Sequence, residues 1–311
     1  MLRLIFLLLL PAGVWAQKPI IFDSDMGPDY DDVGAITLLH AYADSGYVRI
    51  LATIASTRYP GVAGVMSVFN TYFGRPSIPI GLPGADGLTL RDWQHWSDTL
   101  LAKYPHGSTS MDAVSLYRRL LASQPDSSVT IVTVGFLTNL AALLKSDSLG
   151  LVRRKVRLLV CMAGRFPSGY EFNVMKDAAA SAYVFSHWPT FILFSGFEIG
   201  EKILAGLPLI HDSSIHSDPV RDVFRISIPL AAEDSLGRKS WDETAVLVAV
   251  RGYVPYYRLQ YGRITVAADG KDTWEDSEAP TAQAHLVEAV PPAVVQEVIN
   301  KAIMHQPHSK L

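Results

Sequence analysis

The sequence predicts an α/β fold: a mostly parallel open sheet with helices on both faces. Three observations carry that prediction. Short apolar, β-rich runs alternate with amphipathic stretches along most of the chain, the pattern of strand–helix–strand units. The strand candidates are nearly continuous apolar runs, as parallel strands buried on both faces are. The length, 311 residues of which 49% are hydrophobic, is ample for one large core.

Taken in order, residues 19–22 (PIIF) form the first strand and residues 32–43 the first helix. Residues 48–56 (VRILATIAS) form the second strand, followed by a helix over 59–73. A helix over 111–123 precedes the strand 128–135 (SVTIVTVG), and a short helix over 139–144 follows it. The strand 156–164 (VRLLVCMAG) leads to a helix over 178–186, and the strand 190–196 (TFILFSG) to a helix over 244–253. Residues 257–267, with Ala268-Asp269-Gly270 after them, suggest a strand or hairpin, and a last helix covers 292–303. No repeat and no linker interrupts this pattern, so residues 17–311 are expected to form a single domain.

The first 16 residues have the form of a secretory signal: Arg3, an apolar centre over residues 4–10, then Val14-Trp15-Ala16 as a small-residue cleavage site. The apolar centre falls well short of the ~20 residues a membrane span needs. Cleavage would start the mature chain at Gln17 in a secreted or periplasmic location, and no later stretch is long and apolar enough to span a membrane. The formal net charge is −3, one unit more negative without Arg3, which argues against nucleic acid as the main partner. Arg153-Arg154-Lys155 is read as a solvated helix end. Cys161 is the only cysteine, which rules out an intrachain disulfide, and its apolar neighbours suggest a buried thiol.

The densest chemical signal is IIFDSDMGPDYDDVGAI, residues 20–36, which contains Asp23, Asp25, Asp29, Asp31 and Asp32 where the first strand ends and the first helix begins. Ligands of open α/β sheets sit beyond the carboxyl ends of the strands. Helix capping would use one or two of these acids. Five packed carboxylates repel one another and are costly to bury unpaired. No Lys or Arg lies between Lys18 and Arg49, so the compensating charge comes from elsewhere. A divalent cation is the natural candidate. An all-oxygen set suits calcium or magnesium, and no nearby His or Cys suggests zinc. Haloacid dehalogenase-type phosphatases also begin with Asp-x-Asp after a strand. Here Met26-Gly27-Pro28 and three further acids follow instead.

The acid string, ending in Asp31-Asp32-Val33-Gly34-Ala35-Ile36, resembles the N-terminal signature of the nucleoside hydrolases, the inosine–uridine-preferring family. Three further stretches match in the family's order. Val134-Gly135-Phe136-Leu137-Thr138-Asn139 resembles its G-x-L-T-N loop. Met162-Ala163-Gly164 with Glu171-Phe172-Asn173 resembles its glycine turn and E-F-N segment. Trp241-Asp242-Glu243-Thr244 resembles its late Asp before a helix. The resemblance spans about residues 18–305. It implies a calcium ion held by Asp25, Asp32, Asp242 and the carbonyl of Thr138. It also implies Asp25 as general base toward a water that attacks C1′ of a ribonucleoside, giving ribose and free base. Asp31, Glu171 and Asn173 would grip the ribose hydroxyls.

The chain also departs from the family pattern. The acid loop is two residues longer than in familiar members, so Asp29 competes with Asp31 for the ribose role. The residue before the late Asp is often His, a leaving-group acid, and here it is Trp241. A Trp can stack on a base but not usefully protonate it, which sets up an expected preference for purine ribonucleosides, with inward core packing as the alternative. The missing His also keeps open a metal-dependent ribosyl- or polyol-binding protein without catalysis. His95 and His106 lie in a polar, aromatic stretch, residues 91–107, expected to form a loop over the site. His40 is expected to be structural, and His285 has no assigned role. A homo-oligomer is compatible with the sequence.

Overall fold

A computed structural model describes residues 17–307; the expected leader, residues 1–16, lies outside the described residues. In chain order the strands are β1 (Lys18–Ser24), β2 (Val48–Ala55), β3 (Ile80–Leu82), β4 (Met111–Asp112), β5 (Val129–Thr133), β6 (Val156–Met162), β7 (Ser168–Tyr170), β8 (Phe191–Ser195), β9 (Leu204–Ala205), β10 (Arg238–Lys239), β11 (Tyr257–Val266), β12 (Lys271–Asp276) and β13 (Gln283–Glu288). All but β9 and β10 belong to one 11-stranded sheet of order β4-β3-β2-β1-β5-β6-β8-β13-β11-β12-β7. The pairings from β4 through β13 are parallel. β11, β12 and β7 extend the sheet antiparallel.

The sheet order creates the site. From β1 the chain works outward through β2, β3 and β4, then returns to place β5 on the other side of β1. At that reversal the connections leave β1 and β5 toward opposite sides, and a crevice opens at their carboxyl ends. Alternate side chains of β1 serve opposite faces. Ile20 and Phe22 are fully buried in the core on one face, with the helices Asp31–Asp44, Val62–Tyr72, Trp241–Arg251 and Pro292–Ile303. Ile21 is fully buried in the core on the other, with the helices Ala113–Ser123, Thr138–Ser146 and Ala178–His187.

The helix Trp241–Arg251 packs against the first helix, Asp31–Asp44. A Cβ at Gly34 would collide with the carboxylate of Glu243, so glycine permits the close approach that brings the two acid-bearing helix ends together. Trp241 and Asp242 fall within this helix's first turn, three residues earlier than the expected start at residue 244.

Other boundaries also moved. Met111 and Asp112 pair with β3 as an edge strand, and the Asp112 carboxylate caps the helix after it by accepting from the Ser115 N–H at 2.8 Å. The strand-or-hairpin expected over 257–270 is a hairpin, β11 with β12, whereas β3 and β13 were not anticipated; in β12 only Asp272 and Trp274 are buried, so it lacks the continuous apolar run of a parallel strand. The loop expected over 91–107 contains the helix Trp96–Lys103. Cys161 is buried in β6. Among the described residues no helix is long and apolar enough to cross a membrane.

Candidate active site

The crevice holds a cleft of about 120 Å³ lined by Asp25, Asp29, Asp31, Asp32, Val134, Met162, Glu171, Phe172, Asn173, Phe197, Trp241 and Asp242. Eight of the nine site residues expected from sequence are therefore brought together, and Thr138 is the one that is not among them.

The acid loop is shaped by its own backbone. Ser24 Oγ donates to Asp32 Oδ1 at 2.5 Å and the Met26 N–H donates to the same oxygen at 3.1 Å. Asp32 Oδ2 is buried with no hydrogen-bond partner among the described residues. Carboxylate oxygens of Asp31, Asp32 and Asp242 lie within 4.8 Å of one another. Burial, then the neighbouring charges of Asp32 and Asp29, pushes the Asp25 carboxyl well above its ordinary value. Burial and the Asp31 charge push Asp32 up to about 7. Asp242 is driven well up by burial and by Asp31, Asp32 and Asp25. These are the shifts of a cluster short of positive charge, and a bound cation would reverse them.

Part of the missing charge is Arg238, which the sequence reasoning missed. Its Nε and Nη2 donate to Asp31 Oδ1 at 3.0 and 2.7 Å. Nη2 also meets Asp29 at 2.9 Å, and Nη1 meets Asp234 at 3.5 Å. The Asp242 N–H donates to Asp31 Oδ2 at 3.3 Å. Asp31 is thus occupied by protein on both oxygens, while Asp25, Asp32 and Asp242 have no cationic side chain among their ion pairs in the described residues. Although Asp31 belongs to the closest trio of carboxylates, Asp25 has the freer carboxylate for a ligand role.

Asp23 is not part of the cleft. It points to the other face of β1, where Oδ2 accepts from Tyr117 Oη at 2.8 Å and from Asn139 Nδ2 at 3.1 Å. Burial there pushes it up to about 7. Asn139 also donates to the Ala55 carbonyl at 2.8 Å. The first aspartate of the string and the Asn of the G-x-L-T-N stretch therefore hold the strand ends together.

Glu171 and Asn173 form the opposite wall. Glu171 caps the short helix Phe172–Lys176: Oε1 accepts from Asn173 N–H at 2.9 Å, and Oε2 from Val174 N–H at 3.0 Å and Gly164 N–H at 3.3 Å. Burial pushes its carboxyl up to about 7 against the pull of those amides. Asn173 Nδ2 donates to the carbonyls of Val134 and Met162 at 3.1 and 3.2 Å. Both sites lie just past or at the ends of β5 and β6, so one amide ties the E-F-N segment to the two strands.

The placement of Thr138 corrects the sequence expectation. It is the first residue of the helix Thr138–Ser146, and its hydroxyl donates to Asp177 at 2.6 Å. Helix carbonyls point along the axis toward the C-terminus, which turns the Thr138 carbonyl away from the end of β5. The residue from this stretch that reaches the cleft is Val134, immediately after β5.

Trp241 lines the cleft and is partly exposed, so it is neither a core residue nor a free side chain. Its Nε1 donates to the Phe197 carbonyl at 2.8 Å, and the two rings sit 5.2 Å apart. With that hydrogen committed, Trp241 presents an aromatic surface, joined by Phe197 and Phe172. The segment 91–107 contributes nothing to the lining. His95 pairs with Asp98 at 3.1 Å and His106 with the Tyr104 carbonyl at 2.9 Å. His40 is buried against Asn70 and stacked on Phe73, as a structural histidine should be. His285 lies in β13, stacked on Phe166 at 4.2 Å.

The family model for inosine-uridine preferring nucleoside hydrolases matches residues 20–294. The chain belongs to that family, whose members hydrolyse the N-glycosidic bond of ribonucleosides. It is similar to the pyrimidine-specific ribonucleoside hydrolase RihA of Shewanella sp. (strain MR-4), 26% identical over 234 residues, covering 69% of this chain and 67% of the relative. RihA of Enterobacter sp. (strain 638) is 29% identical over 235 residues, with 68% and 67% covered. Among solved structures, a purine-preferring ribonucleoside hydrolase from Gardnerella vaginalis superposes with a TM-score of 0.75 at 16% identity, covering 92% of this chain and 98% of that one. The plant nucleoside hydrolase PpNRh1 superposes with a TM-score of 0.73 at 21% identity, covering 92% and 99%.

Proposed function

We propose that this chain is an exported, calcium-dependent ribonucleoside hydrolase whose general base is Asp25. The observation that carries the reading is the unpartnered, buried Asp32 Oδ2 inside a cleft that also gathers Asp25, Asp242, Glu171 and Asn173. The donors are all oxygen, the set a hard cation takes. Asp25, Asp32, Asp242 and the Val134 carbonyl, rather than that of Thr138, would hold it. A divalent cation bound there supplies orientation and acidification of the attacking water.

The protein groups divide the remaining work. Asp25 accepts the proton from water as its oxygen bonds to C1′. The bond from C1′ to the base nitrogen breaks, the base leaves with the electron pair, and a solvent proton neutralises it. Asp31 is oriented by its hydrogen bonds from Arg238 and accepts from a ribose hydroxyl. Asp29, half-exposed at the rim, is the alternative acceptor for the same sugar. Glu171 and Asn173 hold the sugar from the far wall, and Val134, Met162 and Phe172 exclude bulk water. Fixing the sugar against these groups favours the oxocarbenium-like transition state.

Trp241 and Phe197 form the base-side wall. With Trp241 Nε1 engaged by the Phe197 carbonyl, the wall stacks on the base and donates no proton to it. A larger base gains more from stacking, which favours purine ribonucleosides. Relatives carry names of either preference, so the base assignment rests on the wall itself. Export rests on Arg3, the apolar centre and Val14-Trp15-Ala16.

The test is a panel of purine and pyrimidine ribonucleosides incubated with the mature chain and calcium, with released ribose measured. Calcium-dependent release supports the reading. Tight nucleoside binding without release would make the protein a binder, and activity unaffected by chelation would remove the cation.

A further inference from the structure

Arg238 is a fixed positive charge inside an acid cluster, and it serves only some of the acids. Its guanidinium forks onto Asp31 and reaches Asp29 and Asp234. It also lies against two aromatic rings, its central carbon 4.9 Å from the centre of the Tyr30 ring and 5.1 Å from that of Trp241. Tyr30 Oη donates to Asp234 at 2.6 Å, which closes the network. Arg238 belongs to β10, just before the helix that carries Trp241 and Asp242, whereas Asp31 is 207 residues away at the start of the first helix.

We infer that Arg238 is a positioning residue that locks the sugar-side Asp31 and the base-side Trp241 into one unit and holds Asp31 out of the cation's ligand set. The inference rests on the ribonucleoside reading for its substrate part and stands apart from it for its cation part. Both oxygens of Asp31 already accept N–H groups, from Arg238 and from Asp242. An oxygen engaged by a guanidinium is a poor ligand for a second cation, and two positive centres so close repel. Asp32, whose Oδ2 has no partner among the described residues, is left as the ligand beside it. A guanidinium suits this post because it is planar, permanently charged, bidentate and able to stack on rings; an ammonium offers a point charge alone.

The inference makes two effects run in opposite directions. Removing the charge should tighten divalent-cation binding, because repulsion falls and Asp31 and Asp29 become available. The same change should weaken the grip on the nucleoside, because Asp31 and Trp241 lose their common anchor. General loosening of the fold would weaken both.

The experiment uses the mature chain as wild type, Arg238→Gln and Arg238→Lys. Calcium affinity of the chelated proteins is measured by calorimetry, and kcat and KM are measured on one ribonucleoside. In Arg238→Gln the calcium Kd should fall about tenfold while KM rises about tenfold, a scale set by one charge-assisted hydrogen bond. In Arg238→Lys the calcium Kd should stay near wild type while KM still rises, since a point charge cannot make the fork. Weaker or unchanged calcium binding in Arg238→Gln, or an unchanged KM in Arg238→Lys, overturns the inference. Should Arg238→Gln not fold, the Lys variant decides alone: raised KM with wild-type calcium affinity and unfolding midpoint supports it, and a wild-type KM refutes it. Should the wild type release no ribose, the ribonucleoside reading fails, and the calcium comparison still decides the role of Arg238.

Discussion

Replacing Glu171 with Gln tests the far wall of the cleft. The substitution keeps shape and removes one acceptor oxygen. Glu171 satisfies three backbone N–H groups, those of Asn173, Val174 and Gly164. A Gln can face its oxygen toward Val174 and Gly164, but its amide then meets the Asn173 N–H donor to donor. Leaving this buried capping donor unpaired costs about 1–3 kcal/mol. The neutral Gln also relieves the burial cost of a carboxyl that burial pushes up to about 7, a term of about 3 kcal/mol above that pH and close to zero below the ordinary carboxyl range. The two terms nearly offset at pH 8, and wild-type stability should fall relative to that of Glu171→Gln as pH rises from 5 to 8, measured by urea unfolding. If Glu171 also accepts a ribose hydroxyl, kcat/KM falls by roughly 10- to 100-fold, the scale of one hydrogen bond to a charged group. A stability difference that does not change with pH would refute the burial argument, and a kcat/KM within twofold of wild type would refute the substrate role.

Other perturbations check other parts of the account. Calcium should raise the melting temperature of chelated wild type, by an amount equivalent to about 2.7 kcal/mol at a hundredfold excess over Kd, and Asp242→Asn should lose both that rise and the activity. Burial lowers the His40 pKa to about 3, below its unfolded value, so its neutral form stabilises the fold above about pH 6.5 and that contribution is lost as pH falls toward 3; unfolding of His40→Gln should depend less steeply on pH between 6 and 4. Trp241→Ala should lower kcat/KM more for inosine than for uridine, and an unchanged ratio, or a wild-type preference for uridine, would remove the stacking role. Sequencing of exported protein should begin at Gln17, and retention of Met1 would contradict cleavage after Ala16.

The central parallel strands β1, β2, β5, β6 and β8 could be read from the sequence because they are buried along most of their length and so nearly continuously apolar, whereas β3, β4 and β13 of the same parallel set are too short or too exposed to show that pattern. Of the antiparallel extension, β11 and its turn were legible as a strand or hairpin, but the second arm had no signal of its own: β12 buries only Asp272 and Trp274, which leaves no apolar run to recognise. The acids of the cleft were legible because so many carboxylates close together demand compensation. The source of that compensation was only half anticipated. A search for nearby Lys or Arg follows distance along the chain, whereas Arg238 reaches Asp31 across the fold. No motif marks it; it is a single Arg between Gly237 and Lys239. The G-x-L-T-N stretch was correctly placed at a strand end, but a carbonyl's direction depends on where the helix starts, and that start turned Thr138 away and left Val134 at the cleft.

A crystal structure of the mature chain soaked with calcium and ribose tests the central claim most directly. The account places one ion at about 2.3–2.6 Å from oxygens of Asp25, Asp32, Asp242 and the Val134 carbonyl, with the sugar hydroxyls between that ion and the wall of Glu171 and Asn173. An ion held instead by Asp31 or the Thr138 carbonyl, or a ribose bound outside this cleft, would contradict it.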